Sequence, residues 1–433
     1  MLRWIILVLI ILALDIYAFQ SIRTLTKNYF VYAVYWMASI YVVSNFIFYY
    51  SNFVRGESFT NGHGYAIAFL FTLFVPKIIV LLFMFGEDSV RAVLSIINKI
   101  SKSNLEPTAY STSRRAFVSK IALGIAAIPF ASFIYGIYQG KYNYKVIKHV
   151  LHFEDLPEAF DGYTITQISD IHSGSLENKE KIAYGIDLIN EQNSDAILFT
   201  GDLVNTKAEE MNEWIDVFSK LNAKDGKFAV MGNHDYGYYA YGNDKKLNDE
   251  NQLQFEAIHK KLGFDLMLND NRQIERNGQK INILGVENWG ASRHFPKRGS
   301  LKQATHTIGD NDFNILMSHD PSHFDYKKME LNRTDQNNHD IITDETNIID
   351  FKKHIHLTLA GHTHGMQFGI EVPSLGIKWS PVKYRYPKWA GLYEVTGKYL
   401  HVNRGFGYLA FPGRIGIWPE ITVITLKKGT ITA

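Results

Sequence analysis

The chain contains no cysteine, which excludes disulfides and thiolate metal ligands while leaving the redox compartment open. It also lacks a charge excess of either sign. Its 45 basic and 43 acidic side chains leave a formal charge of +2, so the basic surface that a general nucleic-acid binder needs is missing and no nucleic-acid partner is expected. No small-residue cleavage site precedes Ser21, which argues for a retained helix over a cleaved signal peptide. Without thiolates, any metal must take His, Asp and Asn, a donor set that favours two hard or borderline divalent ions over a Cys-type structural zinc.

What the chain does have is unevenly spread. Its 433 residues suffice for a membrane region and a full catalytic domain. Long apolar runs dominate up to about Gly140, and an ordinary globular mixture follows. The expected division is a membrane region at 1–140 and a catalytic domain at 145–433. Four stretches, 4–19, 29–50, 65–85 and 116–138, approach or reach the roughly 20 apolar residues that cross a bilayer core as a helix. Asp15 and Lys77 fall at similar depths in the first and third, where lone charges are costly, so an ion pair between helices is expected.

Orientation follows from the basic residues between the spans. Arg91, Lys99, Lys102, Arg114, Arg115 and Lys120 cluster between or beside the third and fourth, and Arg23 and Lys27 separate the first two. The opposite side offers Arg3 and Arg55, with Lys141, Lys145 and Lys148 at the start of the long domain. The more basic side is expected in the cytoplasm, which places the catalytic domain outside it. The stretch 113–120, S-R-R-A-F-V-S-K, has two readings: an internal twin-arginine export signal, or paired arginines that anchor the fourth helix.

Beyond the membrane region, strand and helix patterns alternate. Strands are expected at 164–169, 196–200 and 228–231 with helices at 179–193 and 208–221 between them, then at 281–286, 313–318, 355–360, 390–396, 399–403 and 420–426. This is an α/β pattern, and such sheets bind ligands at the carboxyl ends of their strands. Five of those ends carry metal-binding side chains: Asp170 and His172, Asp202, Asn233 to Asp235, His319, and His362 with His364. In His362-Thr363-His364, two residues apart on an extended segment point the same way, so one stretch can serve two metals. Gly201, Gly232 and Gly361 let the backbone turn tightly there. Two cations about 3.5–4 Å apart can share a carboxylate, bind phosphate oxygens and activate a water between them.

In order and residue type these motifs resemble the calcineurin-like metallophosphoesterase family, over residues 162–427. Within it, S-D-I-H-S-G at 169, G-H-T-H-G-M-Q at 361, A-G-L-Y at 390 and the ending 403–426 are most similar to membrane-anchored bacterial phosphodiesterases, a group with UDP-2,3-diacylglucosamine pyrophosphatases and cell-envelope phosphodiesterases. The resemblance implies a four-layer αββα sandwich behind an all-α transmembrane region. It implies two divalent ions (Mn, Fe or Zn), the first on Asp170, His172, Asp202 and His364, the second on Asp202, Asn233, His319 and His362. Asp202 is then the bridge. His234 faces the phosphate and protonates the leaving oxygen or stabilises its charge, and Asp235 orients His234 through the far ring nitrogen. The implied activity is hydrolysis of a lipid-linked or cell-envelope phosphodiester at a bacterial inner membrane. The alternatives are a UDP-2,3-diacylglucosamine-type pyrophosphatase, which would suit a cytoplasmic domain, and a non-catalytic phospholipid sensor.

One departure is Met366, where a second glycine is expected; it makes the loop after His364 stiffer and more apolar. Histidines 149, 152, 259, 323, 354, 356 and 401 fit no motif and read as surface or core residues. Residues 236–241, Y-G-Y-Y-A-Y, are either a pocket wall or a surface loop. The polar stretch 331–350 reads as an exposed insertion. Arg404 and Arg414 have two readings, phosphate binding or structural pairing. Phe406, Tyr408, Leu409, Phe411 and Trp418 make the ending apolar enough to suggest that it dips towards a bilayer.

Overall fold

A computed structural model of the chain describes residues 2–51, 53, 60–101, 112–292, 294–326 and 346–430. Arg55, Lys102 and most of the expected insertion, 331–345, lie outside the described residues. The chain divides into two compact units, one helical and one built on sheets, the second taking up the chain at Gln139.

In the helical unit, α1 (Leu2–Leu25), α2 (Tyr29–Ser51), α3 (Asn61–Ser101) and α4 (Thr112–Tyr138) are all long and apolar enough to cross a membrane. The third runs well past the apolar stretch 65–85, because the residues after Phe85 turn polar but include no proline to stop it. Lys77 on α3 pairs with Asp15 on α1, both buried, and also bonds Ser39 on α2. The ion pair read from the sequence is therefore present. At another level Asp88 on α3 accepts from Tyr17 (2.7 Å) and Arg115 (2.8 Å), so Arg115 ties α4 to α3, which favours the anchoring reading of the paired arginines.

The sheet unit is layered. One six-stranded sheet runs, in spatial order, Lys145–Phe153, Glu420–Lys428, Thr164–Ile168, Ala196–Phe199, Gly226–Ala229 and Asp265–Leu266. The other runs Gly391–Val395, Lys398–Val402, Leu357–Ala360, Asn314–Met317, Gln279–Gly285 and Asp270–Arg276. Ile165, Leu198 and Val230 from the first and Ile283, Met317 and Leu359 from the second pack into one core between the sheets. Each such side chain contributes about 1.5–3 kcal/mol on burial. Helices Lys179–Asn190 and Lys245–Leu262 cover the outer face of the first sheet through Ile182, Ile186, Phe255 and Ile258. The second sheet is covered thinly, by the single turn Leu301–Ala304 and loop residues such as Phe324. The arrangement is the expected αββα sandwich.

The buried strands Thr164–Ile168, Ala196–Phe199, Asn314–Met317 and Leu357–Ala360 all pair parallel to a neighbour, so their carboxyl ends line up. Apart from Gln167 and Asn314, which are buried and hydrogen-bonded, these are apolar or β-branched runs, as strands covered on both faces require. That alignment delivers the motif residues to one edge of the sandwich.

Candidate metal centre

The loops after these strands bring two groups of ligands together: Asp170, His172 and His364, and Asp202, His319 and His362. Tight turning puts them there. Asp170, His172, Asp202, His362 and His364 all have φ between 50° and 71°, the left-handed region that non-glycine residues rarely enter and that costs about 1–3 kcal/mol each. Glycines supply the remaining room. A Cβ at Gly361 would stand 2.2 Å from Asp170 Oδ2, and one at Gly232 would stand 2.2 Å from Asp202 Oδ1.

Within the first group, His172 Nε2 and His364 Nε2 face each other at 2.9 Å, and Asp170 Oδ1 is 3.1 Å from His364 Nε2. Facing donors this close would suit joint ligation of one cation. His172 Nδ1 donates to the Val204 carbonyl at 3.1 Å, which leaves Nε2 free as a ligand. In the second group, His319 Nδ1 donates to the Thr200 carbonyl at 2.7 Å, and its buried Nε2 has no hydrogen bond, lying 3.1 Å from Asp202 Oδ2 but out of line for one. His362 Nδ1 faces Asn233 Oδ1 at 2.8 Å. Asp202 Oδ2 lies 3.6 Å from His172 Nε2 as well, so a single carboxylate oxygen is common to both groups.

The electrostatics ask for cations. Burial penalises the charge on Asp170 and Asp202, yet the surrounding histidines hold both below the usual carboxylate range. Burial pushes His319 down, but Asp202 and Asp170 outweigh it and carry its pKa up to about 10. A buried ring nitrogen without a hydrogen-bond partner, paired carboxylates and facing imidazoles fit two divalent ions; these residues supply oxygen and nitrogen donors only.

His234 stands at the rim, half-buried, its ring 4.9 Å from that of His172. Its Nδ1 donates to the Asn205 carbonyl at 2.6 Å, which presents Nε2 outward. The bond expected from Asp235 to His234 is replaced by another arrangement. Asp235 turns back and accepts from the backbone N–H groups of Asp202 (2.9 Å), Leu203 (2.8 Å), Val204 (3.3 Å) and Gly232 (2.8 Å). It clamps the turn that carries Asp202, and a main-chain carbonyl orients His234 in its place.

Three side chains that the motifs did not include complete the surroundings. Tyr386 Oη is 2.8 Å from His362 Nε2 and 3.5 Å from Asp320 Oδ2. Tyr239 Oη accepts from Asn233 Nδ2 at 3.0 Å, turning Asn233 Oδ1 towards His362, and its ring lies 4.5 Å from that of His234. Residues 236–241 thus divide: Tyr239 borders the site, and Tyr236 is buried with its Oη on the Asn288 N–H. Arg404 pairs with Glu371 and Glu420, and Arg414, fully buried, donates to the carbonyls of Arg404, Gly405 and Gly407. Both arginines are structural. The apolar ending divides: Phe406 and Tyr408 are core residues, Phe406 stacking on Tyr144 at 4.6 Å, whereas Leu409, Phe411 and Trp418 are half-buried.

Two family matches bear on this geometry. Residues 2–141 match the probable calcineurin-like phosphoesterase transmembrane domain, and residues 163–366 match the calcineurin-like phosphoesterase domain. The second span contains all seven ligand candidates. The chain carries a calcineurin-like metallophosphoesterase domain behind a phosphoesterase transmembrane domain. Among curated relatives, the uncharacterized metallophosphoesterase YkuE of Bacillus subtilis is 29% identical over 326 residues, 73% of this chain and 98% of that protein. A transmembrane protein with metallophosphoesterase domain from Danio rerio is 25% identical over 358 residues, 81% of this chain and 71% of that protein. A solved structure, TT1561 of Thermus thermophilus, aligns over 57% of this chain and 90% of that chain at 13% identity, with a TM-score of 0.33.

Proposed function

We propose that this membrane metallophosphoesterase is a two-metal phosphodiesterase, acting on a lipid-linked or cell-envelope phosphodiester outside the cytoplasm of a bacterial inner membrane. The observation that carries the two-metal reading is Asp202 Oδ2, set between His172 Nε2 at 3.6 Å and His319 Nε2 at 3.1 Å. In this reading Asp170, His172, Asp202 and His364 hold one ion, and Asp202, Asn233, His319 and His362 the other. When bound, the ions act as Lewis acids on the phosphate and provide the activated water. The chain's own part is to position and to move a proton. Carbonyls of Val204 and Thr200 keep His172 and His319 in the tautomer that ligates, Asp235 holds the Asp202 turn, and His234 Nε2 donates to the leaving oxygen. The loop charges support the outside orientation, and that orientation in turn favours an envelope substrate.

The test uses the full chain in nanodiscs, loaded with Mn²⁺, Fe²⁺ or Zn²⁺ in turn, on bis(p-nitrophenyl) phosphate and p-nitrophenyl phosphate. Metal-dependent turnover of the diester, abolished in Asp202→Asn together with loss of bound metal, is the expected result. Preference for the monoester would overturn the phosphodiesterase assignment. Two bound ions with turnover of neither ester would shift the reading to a binding protein.

A further inference from the structure

Directly after His364 the chain leaves both main sheets and forms a separate two-stranded hairpin, Ile370–Val372 paired with Ile377–Trp379. Its alternation is inverted. On the way in, Gln367 and Gly369 point inward and are buried while Met366 and Ile370 point outward at 60% and 55% exposure. At the turn and beyond, Leu375 is 70% exposed, Ile377 44% and Tyr384 78%. Single exposed apolar residues are ordinary, but several on one hairpin mark an interaction surface. This hairpin is also held firmly. Gly369 N–H donates to the Ile415 carbonyl at 2.9 Å, Ser380 Oγ donates to the Gly365 carbonyl at 2.7 Å, and Glu371 takes both an Nε and an Nη2 bond from Arg404. Met366 adds a second argument. It holds φ at 55°, where glycine would be unstrained, and puts its side chain into solvent, so the residue gains no core packing for that strain.

We infer that the hairpin and its flanks, residues 366–385, form a docking surface for a lipid bilayer with anionic headgroups. The flanking charges select that partner. Lys383 and Arg385 are exposed on either side of Tyr384, whereas Glu371, the one carboxylate in the segment, is already engaged by Arg404. Apolar side chains bracketed by tyrosine and cations make up an interfacial membrane element, and the four membrane-length helices of the same chain keep a bilayer within reach. Both ends of the segment are tied to the metal centre, through His364 at its start and through Tyr386 on His362 at its end. Docking therefore holds the mouth of the site at the level of headgroups, whichever phosphoester is cleaved there.

Because the chain has no cysteine, Leu375→Cys provides a unique position for an environment-sensitive fluorophore. The full chain would be reconstituted into phosphatidylcholine–phosphatidylglycerol vesicles containing nitroxide-labelled lipid, with Lys246→Cys on the exposed helix as the control and Ile377→Cys as a second hairpin label. The hairpin labels should be quenched at least about twice as strongly as the control. Lys383→Gln with Arg385→Gln, or high salt, should weaken that quenching. Equal quenching at positions 375 and 246 would overturn the proposal. So would a blue shift without nitroxide quenching that grows with protein density, because that would identify a second copy as the occupant.

Discussion

Two buried polar clusters of the sheet unit differ in whether their charges are met from within. In one, Arg404 bridges Glu371 and Glu420, Glu420 accepts from Thr422 Oγ1 at 2.6 Å, and Asn403 donates to the same hydroxyl at 2.9 Å. In the other, carboxylates face histidines, two imidazole nitrogens meet at 2.9 Å, and His319 Nε2 has no hydrogen-bond partner. The first is closed around its carboxylates, although His401 Nε2, 3.4 Å from Glu420 Oε1, also has no hydrogen bond. The second has donors aimed inward and a positive charge to be supplied, which is the physical signature of a metal site. An orphaned ring nitrogen occurs in both, so it does not mark function by itself; carboxylates grouped with facing imidazoles do.

The sharpest way to test this contrast is at His234, which borders the open cluster without belonging to its ligand set. His234→Asn should keep both metals and the melting temperature while lowering kcat by ~10²–10⁴-fold, the usual contribution of a positioned proton donor. Metal analysis beside single-turnover kinetics checks it. Loss of metal along with rate would move His234 into the ligand set and blur the comparison.

The closed cluster should respond in the opposite way. Glu420→Gln should destabilise the folded chain by about 3–5 kcal/mol, the range for breaking a buried pair, and by the same amount with or without a chelator. Burial alone would raise the Glu420 pKa, but Arg404, His401 and the Thr422 hydroxyl outweigh it and hold it at about 2. A depressed carboxylate pKa stabilises above the unfolded value and loses that contribution as pH falls through the folded one. The difference in stability between parent and Glu420→Gln should therefore be full above about pH 4.5 and shrink towards pH 2. Equal pH profiles in thermal melts would contradict the pairing.

Much of the open cluster was legible because its residues sit at the ends of buried strands, where apolar runs announce the element and glycines announce the turn. Side-chain direction at a turn was not legible. Asp235 follows His234 immediately, yet its carboxylate folds back onto four N–H groups of neighbouring loops. The strand Lys145–Phe153 gave little warning, since its sequence K-V-I-K-H-V-L-H-F neither alternates nor runs apolar and most of its length is at least partly exposed. Helix Lys245–Leu262 is predominantly polar, and only Phe255, Ile258 and Leu262 of its apolar side chains reach the core. The ending 403–426 shows the limit of composition. Its composition suits a bilayer throughout, but Phe406 and Tyr408 fill the core beneath Tyr144 while Leu409, Phe411 and Trp418 are half-buried.

Tyr386 probes the edge of the open cluster, where the smallest effect is expected. It lies 24 residues beyond His362, in a Lys- and Tyr-rich segment without a motif, so only the folded chain brings the two together. Burial and the Asp320 carboxylate push the phenol up, which keeps it protonated. It can then accept from His362 Nε2–H and donate towards Asp320, leaving Nδ1 free to face Asn233 and the second ion. Partners that fix a ligand's tautomer in this way are worth about 10–100-fold in metal affinity or activity. Tyr386→Phe should accordingly weaken the second ion by that factor in a metal titration and leave the first unchanged. Asp320→Asn should have a smaller effect in the same direction, because it removes a partner of the phenol while the phenol stays on His362. If both ions weaken equally, Tyr386 supports the loop as a whole; if only the second does, the relay from Asp320 through Tyr386 to His362 is part of that ion's binding.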